Sequence, residues 1–393
     1  MKNIKIGLLG RVVIAIVLGI VAGNIFPMWL SRVFATFDSI FSSFLGFFIP
    51  LLIVGFVAPA IADIGRKAGA MLLTTVLIAY AMTFGSGMLA YVTSSTVFPH
   101  LIEQGGAKAA ALAGGVSPQP YFTIAIEPLM TVMSALVLAF VLGFGCAVLP
   151  ESTSSFKKVL GDFRHIINLV ITKMIVPLLP LYIFGIFLDM TATGAVAPVL
   201  MTFIKIIAVI FVLHIGILIL QYCIASLFSG YNPLRSLRIM LPAYATALGT
   251  QSSAATIPVT LEQTMKTGVS RDVAGFVIPL CATIHMSGST LKIVSCAVAL
   301  MIVQGIPFDA AMFAAFIAML GITIVAAPGV PGGAIMASLG LLTSILGFSE
   351  ADNAMMIALY IAMDSFGTAC NITGDGAIAQ IVDRFFGKKF VGN

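Results

Sequence analysis

Four polar residues near the C-terminus recur at helical intervals. Asp364, Thr368, Asn371 and Asp375 are separated by four, three and four residues, which puts all four on one face of a helix. The run around them, 353–383, is long and apolar enough to be a membrane span. Carboxylates inside a span are costly, so they face protein or water and mark substrate or ion chemistry. The plainer alternative is two structural carboxylates paired to lysine or backbone. A second polar set, His285, Ser289 and Lys292, follows i, i+4, i+7 spacing in the run 273–304 and shares a face if that run is one helix. A lysine in mid-membrane costs on the order of 3 kcal/mol unless paired or neutralised. Burial opposes its charge and nearby carboxylates favour it, a balance suited to carrying a proton. The bland readings are a lysine that pairs structurally and a structural histidine.

Two apolar segments are interrupted. Residues 236–263 contain Gly249-Thr250-Gln251-Ser252-Ser253, and residues 310–347 contain Pro328-Gly329-Val330-Pro331-Gly332-Gly333. Irregular backbone at membrane depth is tolerated where protein or a cavity satisfies its polar groups. Two broken segments entering from opposite sides point to a transport site near the midplane. Tips with free backbone donors and acceptors suit a small zwitterion and cations.

The elements that must position these residues follow from composition. The chain has 393 residues, 60% hydrophobic and 9% charged, against about 25% charged in soluble domains. Lipid is therefore the expected solvent. Spans are expected near 8–27, 39–62, 69–97, 121–149, 166–192 and 197–228, then at 273–304 and 353–383. The fold class is thus all-α and polytopic: eight transmembrane helices plus two re-entrant helical hairpins. Re-entrant hairpins leave most basic residues on one side, among them Lys2, Lys5, Arg66, Lys157, Arg164, Arg235, Lys266, Arg271 and Lys388. That bias puts both termini in the cytoplasm and the protein in the cell (inner) membrane. Trp29 and Tyr121 fit interface anchors.

The same composition excludes other classes. The net charge of +5 is spread over loops, without the basic-aromatic cluster of a nucleic-acid surface. The five cysteines lie in apolar stretches with no CxxC pair, which argues against a disulfide framework or zinc. Ser252 and Ser253 lie in no Gly-x-Ser-x-Gly elbow, and no HExxH occurs, so an intramembrane enzyme is not expected. A channel remains as an alternative.

Four stretches resemble one family. They are Gln251-Ser252-Ser253-Ala254-Ala255-Thr256-Ile257-Pro258-Val259-Thr260, Ile278 through Ser289, Gly329-Val330-Pro331-Gly332, and Asp364 through Asp375, which reads DSFGTACNITGD. In this order and spacing they resemble the dicarboxylate/amino acid:cation symporters, the glutamate transporter homologues. Tyr80-Ala81-Met82-Thr83 adds a match in the third helix. The resemblance implies inverted repeats and an elevator mechanism in a homotrimer. Scaffold helices one and two would occupy 1–68, and the third helix, of the transport domain, 69–98. Scaffold helices four and five would occupy 99–195. The transport core would be 196–393, holding the sixth helix, hairpin one at 236–263, the seventh helix at 273–304, hairpin two at 310–347 and the eighth helix at 353–383.

The resemblance also implies roles. Asp364 would bind the ammonium of an amino acid, with Thr368 beside it, and Asn371 would bind its carboxylate. Ser252, Ser253, Met286, Ser289, Val330 and Gly333 would complete the substrate site. Tyr80, Thr83, Cys281, Thr283, His285, Ser287, Ile324, Asn371 and Asp375 fall at cation-coupling positions. A sodium site near Asp375, Asn371 and Cys281 is implied, and sodium ions or protons would be the coupling ions, with no other cofactor.

Three departures qualify this. Gly367 stands where acidic-substrate members have an arginine, and Gln251 stands at the other position that can supply one. With neither guanidinium present to grip a side-chain carboxylate, a neutral amino acid is expected. The volume left by glycine extends that to large or aromatic side chains. Ser287 replaces an aspartate and His285 an asparagine of the family's Asn-Met-Asp-Gly-Thr motif, which weakens one cation site because hard cations favour carboxylate oxygens. Lys292 is expected near Asp364 or Asp375, in the electrostatic role of a missing sodium ion. The expected function is symport of a neutral amino acid coupled to sodium or protons. The alternatives are a serine/threonine-type sodium symporter and a substrate-independent ion conductance.

Overall fold

The computed structural model describes residues 7–64, 70–102, 117–149, 155–194, 196–325 and 332–387. Helices account for nearly all of them. Helix α1 (Leu8–Ile25) buries Ala15, Gly19 and Ala22 along one stripe. It packs on a later helix so closely that a Cβ on Gly19 would lie 2.6 Å from the Phe184 carbonyl oxygen. Small residues allow such backbone approach in lipid, where packing rather than water exclusion joins helices. Helix α2 (Met28–Ile64) carries Pro50 and Pro59 inside it. Helix α3 (Ala70–Leu101) follows.

The fourth expected span, 121–149, is shorter than its hydropathy indicates. Residues 117–131 hold no helix, and α4 (Val132–Val148) starts where the Thr131 side chain accepts the Ser134 N–H. Pro118, Pro120 and Pro128 lack the donors a helix needs and crowd the stretch before that cap. The fifth expected span begins earlier than 166. Helix α5 (Ser155–Val170) runs through a π-helical turn (Ile171–Ile175) into α6 (Val176–Ala192), which packs on α1. Helix α7 (Val196–Ser229) comes next.

The C-terminal half is a set of interrupted helices. Helices α8 (Pro233–Thr250) and α9 (Ser253–Lys266) pack on each other across the first interruption. The chain turns there at Gln251, with φ 53°, and Ser252 caps α9 by accepting the Ala255 N–H. Helices α12 (Ala310–Val325) and α13 (Gly333–Leu346) pack on each other across the second interruption.

Two spans expected to be continuous are broken. Residues 273–304 divide into α10 (Arg271–Ile284) and α11 (Ser287–Gln304). His285 still donates its N–H to the Cys281 carbonyl at 2.9 Å, whereas Met286 N–H turns to Thr83 Oγ1 on α3 at 3.3 Å. The first amides of α11, Gly288 N–H and Ser289 N–H, are taken by Asn371 Oδ1. Side chains from two other helices thus satisfy the donors that a helix start leaves orphaned. Likewise 353–383 is α14 (Glu350–Ala362) and α15 (Asp364–Phe386), bent by 63° at Met363. A capping box between Ser349 and Asp352 starts α14. Hydropathy alone does not register such breaks, because the residues at them stay buried.

Six helical stretches among the described residues are long and apolar enough to cross a membrane, and the bent α14–α15 pair makes a seventh. Large apolar side chains stand exposed along outer faces, for example Val137, Val141 and Phe144 on α4 and Ile204, Val212 and Ile215 on α7. Water would penalise that surface and lipid does not. In contrast, every residue of α11 from Ser287 to Val303 is buried. It packs between α3, α7, α14 and α15 and forms the wall against which the polar residues of α15 lie.

Candidate functional site

All four spaced residues of the last span lie on α15 and are buried. Asp364 is its first residue, made available by the bend at Met363. Its Oδ2 accepts the Gly332 N–H at 2.8 Å, which ties the start of α13 to the start of α15. Its Oδ1 lies 3.3 Å from Lys292 Nζ. Lys292 also donates to the Met363 carbonyl at 3.3 Å and sits 3.6 Å from the centroid of the Tyr360 ring. The ammonium therefore has a carboxylate, a freed carbonyl and an aromatic face, a combination that offsets much of its desolvation.

Gly367 is what admits it. A Cβ at position 367 would collide with Lys292 Cε and Nζ. The space beside Gly367 is thus occupied by the Lys292 side chain in this structure.

One turn along, Asn371 Oδ1 accepts Gly288 N–H at 2.7 Å and Ser289 N–H at 3.3 Å. Its Nδ2 faces Ser289 Oγ at 3.1 Å and Met286 Sδ at 3.5 Å. Tyr360 donates its hydroxyl to the same Ser289 Oγ at 3.0 Å. Gly288 is where α11 touches α15: a Cβ there would lie 2.6 Å from the Gly367 carbonyl oxygen and 2.7 Å from Cys370 Cβ. Because backbone cannot yield as a side-chain tip does, Gly288→Ala is expected to cost about 1–3 kcal/mol. The check is a lower Tm of the purified variant in detergent.

One turn further, His285 Nδ1 lies 2.9 Å from Asp375 Oδ1. Its Nε2 lies 2.6 Å from Ser287 Oγ, which also accepts from Gln221 Nε2 at 2.9 Å. Among the described residues, Asp375 Oδ2 and Gln221 Oε1 are buried acceptors without a donor. Unpartnered acceptors beside an imidazole are the condition for an added proton or a cation. The other two implied sodium ligands have hydrogen-bond partners. Cys281 contributes a carbonyl that already accepts His285 N–H, and Asn371 turns its oxygen to two amides.

His285, Ser289 and Lys292 do all meet α15, though not as one helical face, since the break at Met286 separates His285 from the other two. Thr368 Oγ1 bonds back to the Asp364 carbonyl at 3.0 Å. Tyr80 donates to the Ala318 carbonyl on α12 at 3.0 Å, and Thr83 holds the Met286 amide as above. Ile324 is buried near the end of α12, and Gly333 opens α13. Thr283 is exposed and bonds within its own helix to the Leu280 carbonyl. Ser252 is occupied in capping α9, and Ser253 is its first residue. Val330 lies outside the described residues.

Sequence reasoning missed Gln221 and Tyr360. Gln221 was legible as an amide inside the apolar run of α7, and Tyr360 stands four residues before Asp364. His214 on α7 also reaches this wall, with Nε2 3.2 Å from the Gly288 carbonyl oxygen.

These residues form a buried polar cluster at helix interruptions. Comparison with known proteins identifies the family. The serine/threonine transporter SstT of Acinetobacter baumannii strain ATCC 17978 is 25% identical over 395 residues, covering 96% of this chain and 97% of the relative. The protein of the same name from Streptococcus thermophilus strain LMD-9 is 27% identical over 403 residues, covering 98% of each. A family match spans residues 8–385, nearly all the described helices, and it makes the chain a multi-pass membrane transporter and not an enzyme: it belongs to the sodium:dicarboxylate symporter family.

Proposed function

We propose that this protein is a secondary symporter of neutral amino acids, coupled to sodium or protons. The observation that carries the reading is Asp364 and Asn371, buried one above the other on α15 where the helix begins and adjoining the start of α13. A fixed anion recognises an ammonium and repels a second carboxylate, so Asp364 favours an amino acid over a plain dicarboxylate. The absence of an arginine at 367 and 251 leaves no fork for an acidic side chain. Lys292 in the space beside Gly367 favours small side chains over large or aromatic ones. The names of the relatives, serine/threonine transporters, support the same choice.

The family name supports sodium as a coupling ion. Ser287 in place of a carboxylate and the His285–Asp375 pair support a smaller sodium requirement than the motif implies, with protons as the second candidate. The proposed architecture is eight spans and two re-entrant hairpins in a homotrimer, with cytoplasmic termini. A transport domain of 69–98 and 196–393 would move as an elevator against a scaffold of 1–68 and 99–195. Packing of α3 on α11, and of α8, α10 and α11 on α15, supports these elements moving as a unit.

The test is binding by purified protein across an amino acid panel, with and without sodium, at two pH values. Small neutral amino acids are expected to bind best. Tight binding of glutamate or aspartate, or binding of succinate in preference to any amino acid, sinks the reading of Asp364. A current that needs no solute favours the channel alternative. The coupling idea has its own check: His285→Asn should alter the sodium or pH dependence of uptake, and an unchanged dependence discards it.

A further inference from the structure

Lys292 brings an ammonium of its own to Asp364. Its Nζ has the Asp364 carboxylate at 3.3 Å, the Met363 carbonyl at 3.3 Å and the Tyr360 ring at 3.6 Å. The other Asp364 oxygen is already held by the Gly332 N–H. Both Asp364 oxygens thus already have a partner. The lysine side chain is fully buried, on a helix with no exposed residue from Ser287 to Val303. The remaining groups that act on it are Cys370 on α15, Cys296 on its own α11 and His214 on α7. Asp364 is the carboxylate among them. Among the described residues no second side-chain carboxylate acts on Lys292, and the substrate's own carboxylate is assigned to Asn371, so a substrate ammonium arriving at Asp364 would meet a like charge in a desolvated pocket.

We infer that Lys292 is a resident competitor for Asp364, and that an amino acid binds by taking the carboxylate while Lys292 gives up a proton to solution. This rests on the reading that Asp364 receives the substrate's ammonium. The balance is closed. Before binding, Lys292 ammonium and Asp364 carboxylate cancel. Afterwards Lys292 is a neutral amine, the substrate ammonium faces Asp364, and one proton has left on the side from which the substrate came. When the substrate leaves on the other side, Lys292 takes a proton there, and the empty carrier returns with it. Each cycle thus moves one proton opposite to one amino acid. The loaded site is one charge more negative than the empty one, which a co-bound sodium ion would restore.

The experiment is titration calorimetry of the full-length purified protein with L-serine and L-leucine in buffers of different ionisation enthalpy. The proton count comes from the dependence of the observed heat on the buffer. About one proton released per amino acid is expected, falling to near zero in Lys292→Met with binding retained. Lys292→Gln, which keeps a donor for the Met363 carbonyl, serves if Lys292→Met does not fold. Lys205→Met, which removes a lysine bonded to the Leu101 carbonyl, should release the same proton as wild type. In proteoliposomes an acidic lumen should speed wild-type uptake and leave the Lys292→Met rate unchanged. Binding without proton release, or with equal release in the Lys292 variants, overturns the inference and leaves the functional reading intact. If no amino acid binds to wild type or variants, the reading of Asp364 itself fails.

Discussion

Asp364→Asn is expected to reduce amino acid uptake by at least about 100-fold and to lower the folding stability of the protein. The substitution removes the proposed partner of the substrate's ammonium. It also leaves Lys292, fully buried, without its carboxylate. Removing one member of a buried ion pair costs about 3–5 kcal/mol because the other charge is stranded, so the variant should melt well below wild type. The two effects separate in Asp364→Asn/Lys292→Met, where no charge is stranded. That double variant should regain most of the stability and none of the transport. Asp383→Asn is the control on the same helix: its carboxylate bonds Ser270 near the exposed end, and uptake should stay within about twofold, as for ordinary surface changes. Recovery of uptake in the double variant would remove Asp364 from the binding site.

Gly367→Arg should inactivate the transporter rather than redirect it. An arginine there matches the acidic-substrate pattern, and from the sequence alone it would be expected to grip a side-chain carboxylate. Lys292 occupies the space it needs, with its Cε and Nζ in collision with any Cβ at 367. A second cation would also compete for Asp364. Combining the substitution with Lys292→Ala removes both the overlap and the extra charge. Gly367→Arg/Lys292→Ala is therefore expected to bind aspartate or glutamate at least about tenfold better than wild type does, roughly the 1.4 kcal/mol of one charge-assisted hydrogen bond. Competition binding against labelled substrate measures it. If Gly367→Arg alone folds and shifts selectivity, Lys292 does not fill the site in the working protein.

The two predictions mark where sequence reading succeeds and where it stops. Asp364, Thr368, Asn371 and Asp375 were legible because helical periodicity survives within α15, where all four are buried. The break between α8 and α9 was legible because Gly249 through Ser253 interrupt the run, and the structure puts a left-handed turn at Gln251 and a cap at Ser252 there. The breaks at Met286 and Met363 were not, since their unpaired amides and carbonyls are satisfied by Thr83, Asn371 and Lys292 from distant helices. Nothing local records such partners. The start of α4 was misplaced for the opposite reason: an apolar stretch reads as a span, although prolines keep residues 117–131 out of the helix. Lys292 was expected near a carboxylate, but its fit against Gly367 is a contact between two helices.

The interruptions have an electrical consequence. Each places the end of one helix a few residues from the beginning of the next: Thr250 and Ser253, Ile284 and Ser287, Ala362 and Asp364. Aligned peptide dipoles give a helix about half a positive charge at its start and half a negative charge at its finish. Every break therefore presents both polarities from backbone alone. Such a surface can solvate the two opposite poles of a zwitterion at once, while giving little to a solute with one net sign. Exchanging side chains along α15 would leave these backbone charges in place, whereas straightening a single break would remove them.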